Sequence, residues 1–152
     1  MTAPVLVRRA KPNEIALCLR IRRRVFIEEQ GVAEALEVDG LDGEALHYLA
    51  FPLHAASEPI GTARVRFPEP RVAKVQRVAI LPTYRGTGAG LALMRWLIDD
   101  LSRHHGVEHL TLGSQITAVP FYRRLGFLER GERFLDAGIE HVEMVRSLPE
   151  LS

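Results

Sequence analysis

An apolar strand runs through an arginine and three alternating glycines straight into a helix: Val78-Ala79-Ile80-Leu81-Pro82-Thr83-Tyr84-Arg85-Gly86-Thr87-Gly88-Ala89-Gly90, then Leu91-Ala92-Leu93-Met94. The helix reads from about 88 to 103, carries Leu91, Met94, Ile98 and Leu101 on one stripe, and is stopped by Gly106. Such a junction needs a sheet to hold the strand and a layer in which the stripe is buried against it. It also makes an anion site. The first-turn amides of a helix lack partners within it, the dipole is positive there, and glycines let the backbone come close to a ligand. Arg85 adds a planar fork of donors suited to phosphate. The junction reads as a pyrophosphate cradle.

The rest of the chain is material for one domain, expected to span residues 1–152. It is 47% hydrophobic and 26% charged, which suits a packed core and argues against disorder. A formal charge of +1 gives no reason to expect a nucleic acid or a membrane as partner. No apolar run approaches the roughly 20 residues of a membrane span. Val5-Leu6-Val7 meets Arg8 and Arg9 before it can make the apolar stretch of a signal peptide. With Cys18 as the single cysteine, these features lead us to expect a cytoplasmic protein in which Cys18 is a small buried apolar residue.

Periodicity and turn residues predict the order β-α-β-β-β-α-β-α-β-β, an α/β mixed sheet with helices packed on it. Pro4 to Arg9 is the first strand, and Pro12-Asn13 opens a helix that ends near Gln30-Gly31. Gly31 to Gly43, with Glu34, Glu37, Asp39 and Asp42, reads as a long acidic loop. Strands follow at 46–53, 60–67 and 71–80; after the cradle come a strand at 107–112, a short helix at 117–125, and strands at 127–135 and 139–145. Asp136-Ala137-Gly138 joins the last two as a hairpin.

Two other phosphate-binding readings of the glycine turn fail. A triphosphatase loop needs Lys-Ser/Thr after its last glycine, where this chain has Leu91-Ala92. A dinucleotide fingerprint is spaced G-x-G-x-x-G in the first βα unit, whereas Gly86, Gly88 and Gly90 alternate and follow three or four strands. A tight turn without a ligand explains one glycine but not three beside an arginine.

Arg85-Gly86-Thr87-Gly88-Ala89-Gly90 resembles the R/Q-x-x-G-x-G/A signature of the GCN5-related N-acetyltransferases, and Phe121-Tyr122-Arg123-Arg124-Leu125-Gly126-Phe127 resembles their second signature, F-Y-x-x-x-G-F. Segments 24–32, 37–42 with His47, Ser114-Gln115 and 138–144 are similar to the ElaA-like small bacterial acyltransferases of this superfamily. The resemblance implies a splayed central sheet, acetyl-CoA as co-substrate, and direct transfer of the acetyl group to a primary amine of a small molecule or peptide. It implies that Val78, Ala79 and Ile80 bind the pantetheine, and that Arg85, Gly86, Thr87, Gly88, Ala89 and Gly90 hold the pyrophosphate. It also implies that Gln115 and Tyr122 contact the coenzyme and that Tyr122 serves as general acid. A non-catalytic acyl-CoA-binding domain of the same fold is the alternative.

The general base is less constrained. Some family members carry a glutamate near the position of Lys74, and neither Lys74 nor Gln76 replaces it in that role. Glu29 and His141 are the chosen candidates, with Glu28, His47, Glu140 and a water chain also open; the histidines have the useful pKa range, about 6.5 when unperturbed. The acidic loop would either attract a cationic amine or be solvated, and Arg20, Arg22, Arg23 and Arg24 are expected on a solvated face. His104-His105 with His109 lack a completing cysteine or carboxylate, so no metal is expected. The oligomeric state stays open, a homodimer being one arrangement.

Overall fold

The computed structural model describes residues 5–104 and 106–148. Seven strands form one sheet: β1 (Val5–Arg9), β2 (Leu46–Pro52), β3 (Gly61–Glu69), β4 (Val72–Ile80), β5 (His109–Gln115), β6 (Leu128–Asp136) and β7 (Ile139–Ser147). Their spatial order is β1-β2-β3-β4-β5-β7-β6. The helices are α1 (Ile15–Arg22), α2 (Glu34–Glu37), α3 (Ala89–Ser102) and α4 (Val119–Arg124). Neighbouring strands run antiparallel except β4 and β5, which are parallel and joined through α3. Pro4, read as the opening of the first strand, lies outside the described residues.

Strand alternation gives the sheet two faces. Ala63, Val65, Ala73, Val75, Leu110 and Leu112 pack with Leu93, Met94, Leu97 and Leu101 of α3. On the other face Leu49, Phe51 and Ala79 pack with Cys18, Ile21 and Val25 of the first helix. Arg64, Lys74, Gln76, Thr111, His141 and Glu143 alternate with residues of the α3 face and so stand on the α1 face. Cys18 is buried there, and burial pushes its thiol up.

Strand β4 departs from the regular strand that its sequence predicts. Gln76 pairs with Arg64 but Ala79 with Thr62, so Arg77 and Val78 together oppose Ala63. This is a β-bulge, and Arg77 takes φ +56, a conformation that residues with side chains seldom adopt. The parallel pairing with β5 begins at Val72 opposite His109 and stops at Val75 opposite Leu112, although β4 runs on to Ile80 and β5 to Gln115. Strand β5 stays with β7 through Gln115 opposite His141, which is why it outlasts its predicted end at Leu112. The two central strands therefore splay apart.

The first helix widens from Arg23 to Glu29 into π-helical turns, with the Gln30 amide reaching the Val25 carbonyl at 3.1 Å. Gly31, at φ +71, ends it. The following segment is not one long loop; it contains α2 and a further turn at Asp42–Glu44. The last hairpin forms as expected, with Ala137 and Gly138 both at positive φ (51 and 77).

Candidate active site

Strand β4 leaves the sheet through a single turn at Pro82–Tyr84 and enters the glycine turn. Gly86 and Gly88 take φ +74 and +88, and Gly88 caps α3 in the left-handed region. Gly90 has ordinary helical geometry, and a Cβ there would meet Ile80 and Phe121 at 3.5 Å, a normal contact. The backbone thus demands two of the three glycines. Ala92 is the first amide beyond them with a backbone acceptor, the Gly88 carbonyl at 3.0 Å. The six amides from Gly86 to Leu91 have no acceptor among the described residues. The Thr87 hydroxyl donates to the Tyr84 carbonyl at 2.5 Å and braces the turn.

Arg85 is engaged differently from expectation. Its Nε donates to the Ile80 carbonyl at 3.0 Å, and its two terminal nitrogens donate to both oxygens of Glu29 at 2.5 and 2.7 Å. That pairing holds the Glu29 carboxyl below the usual carboxylate range. Glu29 is not among the residues lining the cleft, so the structure seats this candidate base as the partner of Arg85.

The gap between β4 and β5 is a cleft of about 380 Å³. Val78, Ala79, Ile80, Arg85, Gln115, Tyr122 and His141 all line it, so segments far apart in sequence converge there, while Gly86 to Gly90 lie outside the lining. Tyr122 is 9% exposed, with its ring edge-on to Phe121 at 5.0 Å and Phe127 at 5.9 Å. Burial pushes its phenol well above the ordinary value, so the hydroxyl keeps its proton at any working pH. The Gln115 amide donates to Gln30 at 3.0 Å and ties the tip of β5 to the end of the first helix.

His141 stacks on Phe134 at 5.8 Å, and its Nδ1 lies 2.7 Å from the Ile139 carbonyl. A carbonyl only accepts, so that bond places a proton on Nδ1, and in the neutral ring Nε2 is then the acceptor. The other proposed bases lie elsewhere. His47 points Nε2 at the Asp42 carbonyl, 2.9 Å away, and neither it nor Glu28 nor Glu140 lines the cleft.

Beside the cleft, Arg22 and three acids of the 31–43 segment, all expected in solvent, join Arg64 and Arg77 in a charge cage. Arg22, 0% exposed, donates to Glu37 and Asp42, both at 2.6 Å. Arg64, also 0% exposed, forks onto Asp39 at 2.8 Å and reaches Asp42 at 3.0 Å and Gln76 at 2.8 Å. Arg77 lies 3.2 Å from Glu37 and donates to the Leu36 and Glu37 carbonyls at the same distance. Arg64 and the Leu41 amide hold the Asp39 carboxyl far below its ordinary value; burial opposes the same shift in Asp42, but Arg22 and Arg64 overcome it. Loss of water lowers the Arg77 guanidinium.

Glu37, Asp39 and Asp42 are therefore no open lure for a cationic substrate, because Arg22, Arg64 and Arg77 already pair with them, although Asp39 and most of its segment stay exposed. One signal was available in the sequence: Arg22 follows Cys18 by four and precedes Val25 by three, on the helix's buried stripe. Arg23 and Arg24 do stay exposed, and Arg23 pairs with Glu34. In the histidine group, His105 lies outside the described residues, while His104 stacks on Phe67 at 5.2 Å and His109 sits 3.4 Å from Ser147.

A sheet split beside a bulged strand, with amides at the strand's exit that meet no acceptor among the described residues, forms the candidate site. The sequence model of the Acetyltransferase (GNAT) domain matches residues 11–148, and the chain belongs to that family. It is 35% identical to the uncharacterized protein YyaT of Bacillus subtilis over 130 residues, 86% of each chain. It is 32% identical to the uncharacterized N-acetyltransferase YjcF of the same organism over 127 residues, 83% of this chain and 87% of that one. The crystal structure of Escherichia coli ElaA matches with a TM-score of 0.80 at 23% identity, covering 93% of this chain and 99% of that one, a likeness of fold. No helix of the described residues is long and apolar enough to cross a membrane.

Proposed function

We propose that the protein transfers an acetyl group from acetyl-CoA directly to a primary amine of a small molecule or peptide. The observation that carries this reading is the run of six amides without an acceptor, Gly86 to Leu91, at the exit of a strand that has left its neighbour. Helix N-terminal amides in this state suit a pyrophosphate, which brings both acceptors and negative charge. Gly86, Thr87, Gly88, Ala89 and Gly90 hold it, and Val78, Ala79 and Ile80 offer the strand edge along which the pantetheine lies, with Gln115 on the opposite wall. The coenzyme supplies the acyl thioester.

The remaining work falls to the chain's own groups. The His141 Nε2, free to accept, takes the proton that the ammonium must lose, directly or through water. The Tyr122 hydroxyl, kept neutral by burial, holds a proton for the leaving sulfur. Glu29 fixes the fork of Arg85 and is not the base.

Calorimetry with acetyl-CoA and a thiol-release assay over an amine panel test the proposal. Binding together with amine-dependent release is expected. Binding with no release above background leaves only an acyl-CoA-binding domain, and absence of binding sinks both.

A further inference from the structure

The basic groups around the cleft can be accounted for one by one. Arg77 is held by Glu37 and by the Leu36 and Glu37 carbonyls, Arg85 by Glu29 and the Ile80 carbonyl, and Arg64 by Asp39, Asp42 and Gln76. Lys74 differs from all three. It lines the cleft, is half-buried, and has no carboxylate within 4.0 Å among the described residues. Directly across the β3–β4 ladder stands Arg66, likewise without an ion pair among the described residues. Like charges that face each other across an antiparallel pair repel, so this arrangement is unfavourable until an anion arrives.

Glu143 does not supply that anion. It stands on the same face, but its carboxylate already accepts from Arg130 at 2.7 Å and from Thr111 at 3.4 Å. Arg130 first, with Thr111 and, at longer range, Lys74, holds its carboxyl below the usual range. The coenzyme's pyrophosphate does not supply it either. Lys74 sits beside Thr111 at the closed end of the split, whereas the glycine turn follows the open end. Val78 lies four positions along the strand from Lys74, at most about 13 Å at 3.3 Å per residue.

We propose that the acceptor amine carries a carboxylate, and that Lys74 binds it, with Arg66 reinforcing the positive field. The inference rests on the acyltransferase reading and adds the class of substrate: amino carboxylates, in preference to simple amines or polyamines. A carboxylate replaces the hydration that the ammonium loses in the cleft and relieves its repulsion with Arg66. A polyamine would add positive charge beside two cations that have no ion pair among the described residues. His141 shares the face, so one molecule can place its anion towards Lys74 and its amine towards the histidine.

Matched pairs test this: glycine against glycinamide, 4-aminobutyrate against its amide and 6-aminohexanoate against its amide, with putrescine as the cationic control. Each is followed by thiol release and, separately, by calorimetric binding to the protein saturated with coenzyme A. The best carboxylate should exceed its amide by about 10- to 100-fold, the scale of a hydrogen bond to a charged group. Lys74→Gln should erase that ratio while acetyl-CoA affinity is unchanged, and Lys74→Arg should retain part of it.

Equal performance of carboxylates and amides in both readouts overturns the proposal, as does a ratio that survives Lys74→Gln or a panel in which no amine binds. Failure of the acyltransferase reading looks different. Acetyl-CoA would bind with no thiol released for any amine, while the calorimetric ratio still reports on Lys74.

Discussion

Two regions flank the same cleft and treat their polar groups in opposite ways. In the charge cage, Arg22, Arg64 and Arg77 meet Glu37, Asp39 and Asp42, and the fold itself supplies the counter-ions. In the cradle, six successive amides meet no acceptor among the described residues. A buried charge without a partner is costly enough that the cage must close on itself, whereas amides at a helix start can be left to water or to a ligand. The contrast separates scaffold from site. Charges paired from within hold the cleft in shape, and the row of amides left open marks where a ligand belongs. Lys74, half-buried and unpaired among the described residues, falls on the open side of that division.

The largest expected effect comes from breaking the cage. Arg22→Ala takes from buried Glu37 its closest cation and leaves it Arg77 alone, at 3.2 Å, and should cost about 3 kcal/mol of stability in urea unfolding. The double change Arg22→Met with Glu37→Leu should recover most of that loss, because it removes both charges together. If the single change proves harmless, the cage is no scaffold. Acid should break it from the carboxylate side. Both Asp39 and Asp42 titrate below their ordinary value in the folded state. Their contribution is therefore complete above an unfolded pKa of about 3.9 and lost as the pH falls through the lower folded values. The urea midpoint should hold steady from neutral pH to about 5 and drop below about 4, less steeply in Asp39→Asn.

The cradle should break without unfolding. Gly88→Glu forces a side chain into φ +88 and puts a negative charge among the free amides. Acetyl-CoA affinity should fall by at least 100-fold, about 2.7 kcal/mol by calorimetry, with the circular dichroism spectrum retained. Tyr122→Phe should lower kcat by on the order of 100-fold, within the range for a general acid, and change the affinity for acetyl-CoA little. Glu29→Gln should have the smallest effect, with kcat staying within about fivefold, the scale of an exposed ion pair. A collapse of kcat, with loss of the acidic limb of its pH profile, would return Glu29 to the role of base.

Much of this architecture was legible beforehand because its signals are local. The strands, the helix stripe of α3, the Ala137-Gly138 hairpin and the two demanding glycines all follow from residues within a few positions of one another. The bulge at Arg77 was not legible, since arginine has no preference for φ +56 and only the slipped pairing with β3 forces it. The inward turn of Arg22 and Glu37 escaped for a related reason. Charged residues are normally solvated, and only the approach of α2 to the first helix makes an internal pair available. Among the base candidates, His47 and His141 looked alike in sequence; strand register sent one to the cage and the other to the cleft.

By itself, the sequence determined the cradle, because a glycine turn opening a helix carries its anion chemistry in its own backbone. Only the tertiary structure decided what surrounds that cradle: where β4 parts from β5, which carboxylates are already neutralised, and which cation still lacks an anion. Those outcomes depend on register and on partners such as Arg64 with Asp39 or Arg85 with Glu29, 25 and 56 residues apart. No local pattern encodes pairings of that range.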